Sequence, residues 1–97
     1  MNILVIGRHP DIQQTILRLL NNQPGWRAAG ALTDEEAVDI FAAQPFDVVL
    51  IGGGVDESSE AKLAIEFKHR KPDVKIVRHF GGGSGLLFAE VMEAMKK

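Results

Sequence analysis

The chain has 97 residues, 45% hydrophobic and 25% charged, with a formal net charge of -2. This fits one domain of ordinary globular composition, and the mild negative balance makes no electrostatic case for nucleic acid or an anionic membrane as partner. There is no cysteine, so disulfides and thiolate metal sites are excluded.

Asn2-Ile3-Leu4-Val5-Ile6-Gly7 opens the chain as a continuously apolar stretch, the pattern of a parallel strand covered on both faces. Arg8 and His9 turn out of it, and Pro10 suits a first helical position. Ile12, Ile16, Leu19 and Leu20 then share one helical face, and Asn21 to Gly25 stops that helix. Trp26 to Leu32 reads as a weaker strand of small residues, better suited to a sheet edge. Thr33-Asp34-Glu35-Glu36 has the form of a capping box, ahead of a helix that buries Ala37, Val38, Ile40 and Phe41.

Asp47 leads into Val48-Val49-Leu50-Ile51, four consecutive bulky apolar residues that form the second buried strand and end in Gly52-Gly53-Gly54. Asp56, Ser58 or Ser59 is placed to cap a third helix carrying Leu63, Ile65 and Phe67. Val74 to Phe80 is the fourth strand, with Lys75 and Arg78 on opposite faces, as at an edge. Gly81-Gly82-Gly83-Ser84-Gly85 leads into a last helix from about Leu86 to Met95. The alternation predicts a doubly wound, flavodoxin-like α/β fold, (βα)4, as one domain over residues 1–97. With the apolar first and third strands central, the strand order is 2-1-3-4, with a switch point between strands 1 and 3. No apolar run reaches the length of a membrane span, and Ile3 to Ile6 is too short for a signal-peptide core; a cytoplasmic location is expected.

At these positions the chain resembles the CheY-like receiver domains of response regulators in two-component phosphorelay signalling. The resemblance lies in Ile3-Leu4-Val5-Ile6 with Pro10-Asp11-Ile12, in Thr33 to Val38, in Pro45 to Ile51 and in Pro72 to Val77. It covers about residues 2 to 80. It implies that the family's magnesium-holding acidic pair falls on Gly7, Arg8 and His9, that the phosphoacceptor aspartate falls on Gly52, and that the hydroxyl residue after the fourth strand falls near Phe80. The lysine closing a fifth strand, that strand and the helix before it have no counterpart. A carboxylate is needed to ligate a hard cation and to accept a phosphoryl group, and glycine does neither. The expectation is therefore a shortened pseudo-receiver: a non-catalytic interaction module with no catalytic residues, metal or cofactor.

The competing reading is a small anion- or nucleotide-binding protein. Arg8, His9, Gly53, Arg78 and His79 fall at one sheet edge beside glycine loops, which suit phosphate; in the plainer reading the side chains are solvated and the glycines only turn the chain. The Gly81 to Gly85 loop lacks both dinucleotide and P-loop spacing. His9, His79 and Asp11 lack the spacing of a metal or acid-base site. The expected partner is another protein, with a homodimer formed through the flank of the fourth strand and third helix, at Ile76 and Phe80. The last helix is expected beside the first, with Leu87, Val91, Met92 and Met95 packed against Ile12 and Ile16.

Overall fold

The computed structural model describes residues 1–79 and 84–96. Its elements are β1 (Asn2–Ile6), α1 (Pro10–Asn21), β2 (Arg27–Ala31), α2 (Asp34–Ala43), β3 (Val48–Ile51), α3 (Glu57–Arg70), β4 (Lys75–Arg78) and α4 (Ser84–Met95). The strands form one parallel sheet in the order β2-β1-β3-β4, as the apolar runs predict. Every residue of β3 is buried, and so are Ile3 to Ile6 of β1, because helices cover both faces of the central strands.

The alternation of side chains along each strand splits the core into two layers. Leu4, Ile6, Val49 and Ile51 meet α2 and α3 through Ala37, Phe41, Leu63 and Phe67. Ile3, Val5, Val48 and Leu50 meet α1 and α4 through Ile16, Leu20, Leu87 and Val91. Trp26, just before β2, tilts against Phe88 of α4 with ring centroids 5.9 Å apart.

The helix starts follow their local chemistry. Thr33 and Glu36 form the reciprocal capping box, and Asp56 caps α3 by accepting from the Ser59 N–H. At the opposite, amino edge of the sheet, the Asn2 N–H donates to Asp47 Oδ2 at 2.9 Å, tying β1 to the start of β3.

Several expectations need correction. Ile12 is exposed, and the inward face of α1 is Gln13, Ile16 and Leu20. Gln13 turns inward because its Nε2 donates to the carbonyls of Ala31 at 2.7 Å and Val5 at 3.2 Å. On α4, Leu87 and Val91 are buried, whereas Met92 and Met95 are exposed; on α3, Ile65 is exposed. The last helix begins at Ser84, two residues before the expected Leu86. Ile76 is partly buried against the α2–α3 core layer. Phe80 and Gly81 to Gly83 lie outside the described residues.

Candidate functional site

Open α/β sheets bind ligands at the carboxyl ends of their strands, where the strand order reverses. In this chain those ends are Gly7-Arg8 after β1 and Gly52-Gly53 after β3. Backbone hydrogen bonds close the gap between them: the Gly52 N–H donates to Ile6 O at 2.7 Å and the Arg8 N–H to Gly53 O at 3.0 Å. Gly54 completes the turn at φ +84°, and a Cβ there would lie 2.7 Å from Arg8 Cβ. Both the backbone conformation and the close approach thus demand glycine. What remains is a cavity of about 10 Å³, lined in part by Gly7, His9, Gln13, Gly52 and Gly53, enough for about one water.

The structure brings Arg8, His9, Gly52 and Gly53 together, but it turns three of the four basic side chains toward acids. The Arg8 guanidinium reaches out of the cleft to Asp34 of α2 and donates to Leu32 O at 2.8 Å. Arg78 pairs with Glu60 of α3 and donates to Val55 O at 2.8 Å. His79 is nine-tenths buried, its Nδ1 2.7 Å from Oε1 of Glu90 on α4, while the other Glu90 oxygen is buried with no hydrogen-bond partner among the described residues. His9 alone stays over the glycine loop, with its ring against Gly53 and Gly54.

Sequence reasoning missed Asp34, Glu60, Glu90 and Gln13. A topological signal existed for the first two. Helices following parallel strands start at the carboxyl edge, so acids in the first turns of α2 and α3 arrive beside cations at strand ends.

The neighbours of Asp34 favour its ionised form. Its hydrogen bond from Arg8 holds the carboxyl below the usual carboxylate range; partial burial opposes this, and Ser59 and Lys62 of α3 add to the lowering. A folded-state value below the unfolded one stabilises the protein above the ordinary carboxylate pKa, and the gain is lost as pH falls through the folded value. Asp34 is 38% exposed, so the pair contributes no more than about 1 kcal/mol. Urea melts should therefore show wild type slightly more stable than Asp34→Asn at neutral pH, with the gap closing as pH falls through the lowered folded-state value, below the ordinary carboxylate range. A gap that persists at low pH would show that the ion pair is not its source.

Among the described residues no three His, Cys, Asp or Glu side chains converge as a metal site. No carboxylate of the described residues lines the small cavity at the switch point either.

No protein-family model and no curated protein matches the chain. Solved structures do. The response regulator protein TrrA of Thermotoga maritima, solved with Mg²⁺ and BeF, superposes with a TM-score of 0.77 over 96% of this chain and 97% of its own, at 20% identity. A response regulator receiver domain protein of Clostridium thermocellum matches at TM-score 0.70 and 27% identity, over 98% of this chain and 74% of its own. This chain has the receiver fold. The receiver domain of the hybrid histidine kinase CckA agrees, with a TM-score of 0.72 over 98% of this chain and 99% of its own, at 17% identity. The receiver fold here is a four-stranded (βα)4 form, with β4 on the outside of the sheet. Among the described residues no helix is long and apolar enough to cross a membrane.

Proposed function

We propose that this receiver-like domain is a non-catalytic signalling module that acts by protein contact and does not accept a phosphoryl group. One observation carries the reading: at the switch point of a receiver fold, the strand ends present Gly7, Gly52 and Gly53 around a space of about 10 Å³. By the resemblance, Gly52 occupies the place of the phosphoacceptor, and a glycine has no side-chain carboxylate to offer. Cytoplasmic location and a homodimeric or other protein partner belong to the same proposal, and the β4 flank, with Ile76 and Phe80, is one candidate contact surface for such a partner. The anion-binding alternative is disfavoured because Arg8, Arg78 and His79 already face Asp34, Glu60 and Glu90.

Incubation with acetyl phosphate and Mg²⁺, followed by intact mass measurement, should leave the mass unchanged. Neither Mg²⁺ nor inorganic phosphate should raise the melting temperature, because a ligand stabilises only the state it binds. A stoichiometric phosphoryl adduct would overturn the proposal. A melting shift with phosphate that Arg8→Ala abolishes would favour the anion-binding alternative.

A further inference from the structure

The α2–α3 flank carries features that the switch-point edge does not use. Ile65, in the middle of α3, is 72% exposed, the largest value among the exposed large hydrophobics of the described residues. Lys62, one turn before it, is exposed on the same face. On the neighbouring α2, Asp34, Glu35, Val38 and Asp39 line an open depression with Val38 as its apolar member and carboxylates around it. Asp34 is committed to Arg8; Glu35 and Asp39 make no hydrogen bond or ion pair among the described residues, and Lys62 makes none beyond its electrostatic attraction to Asp34. An apolar and cationic ridge thus lies beside an apolar and anionic hollow.

The relative height of these features is fixed by the contacts between the helices. Both helices follow parallel strands and run the same way. Ser59 and Lys62 lie beside Asp34, and Phe41 stacks on Phe67 with centroids 4.4 Å apart. Lys62 is therefore level with Glu35 and Glu36, and Ile65 with Asp39. A two-fold axis running along the helices, between α2 and α3, lays α2 of one copy on α3 of the other at the same height. That rotation sets Lys62 against Glu35 and Asp39 and Ile65 against Val38, twice over. The other simple two-fold, across the helices, would stack α3 on α3 and bring Lys62 near Lys68.

We propose that the α2–α3 face is a self-association surface whose occupant is a second copy of this chain, with Ile65 and Lys62 of each copy seated in the Glu35–Val38–Asp39 hollow of the other. It rests on the reading of the domain as a protein-contact module and gives that module a surface. The contact is isologous, so each interaction counts twice and the assembly closes at two. The charge pattern also specifies the register, since sliding one copy would set like charges together.

The test is sedimentation velocity of the full chain from about 5 to 500 µM, with charge-reversed variants. Wild type should dimerise in this range. Glu35→Lys/Asp39→Lys and Lys62→Glu should each raise the dimer dissociation constant about tenfold or more. Mixed in equal amounts the two variants should recover dimer, because every acid-base contact is then restored with its polarity reversed in half of them. All of these residues are exposed, so circular dichroism should show unchanged folding. Wild type that stays monomeric throughout would overturn the proposal outright. A wild-type dimer that the reversals leave unchanged would overturn the surface while sparing the protein-contact reading. Loss of that dimer only in a folded Ile76→Glu would place the interface on the β4 flank instead.

Discussion

Phe67→Ala is expected to cost about 3–5 kcal/mol and to lower the melting temperature by about 15–30 °C. Phe67 is fully buried and stacks on Phe41, which in turn stacks on Phe46 at 6.0 Å. These three rings join α3, α2 and the entry to β3 in one layer. On α3, Leu63 and Phe67 are the buried residues, so few other contacts hold it down. A domain of this length has roughly 5–15 kcal/mol of stability in all, so the loss is a large share of it. Ile65→Ala, on the same helix but exposed, should change stability by less than about 0.5 kcal/mol in the monomer. Urea denaturation monitored by circular dichroism measures both. A loss below about 2 kcal/mol for Phe67→Ala would mean that the layer collapses around the missing ring.

The second large effect is expected at Gly30→Val, at about 2–3 kcal/mol. A Cβ on Gly30 would lie 2.7 Å from Gln13 Oε1, 2.8 Å from Gln13 Cδ and 2.9 Å from Leu17 Cδ1. The end of a glutamine side chain ordinarily yields to such a contact. This one is buried and holds two carbonyls, so moving it sacrifices the hydrogen bonds to Val5 O and Ala31 O. The obstacle is specific, and a double-mutant cycle exposes it. Gln13→Ala should make Gly30→Val cheaper by at least about 1 kcal/mol, because the shorter side chain vacates the space. Strict additivity would show that Leu17 or the strand backbone, not Gln13, resists the new side chain.

The sequence discloses what local chemistry decides. The apolar runs at Ile3 to Ile6 and Val48 to Ile51 give the two central strands and, through them, the strand order. Thr33 with Glu36, and Asp56, give two helix starts, since a cap joins residues only three apart. What distant residues decide stays hidden. The periodicity of Ile12, Ile16, Leu19 and Leu20 turns the face of α1 too far, because no pattern within the helix reports the Ala31 and Val5 carbonyls that draw Gln13 inward. At the strand ends, Arg8, Arg78 and His79 read as a basic cluster until their acids arrive from α2, α3 and α4. The backbone hydrogen bonds from Gly52 to Ile6 O and from Arg8 to Gly53 O, which close the strand ends on one another, likewise join residues too far apart in the chain for the sequence to report.

The placement of β1 between β2 and β3 has a consequence for the nascent chain. Ile3 pairs with Ala28 on one side and with Val48 on the other. A ribosome adding roughly 5–20 residues per second makes the second neighbour about 2–9 s after the first strand itself. Throughout that interval β1 and α1 can bury one another's apolar faces only in part, and the β3 side of the strand has no partner of its own chain. Within this domain, the strand that is wholly enclosed when folding is complete is thus the one that waits longest in the open, which makes Ile3 to Ile6 the stretch of the domain most in need of cover while β3 is still being made.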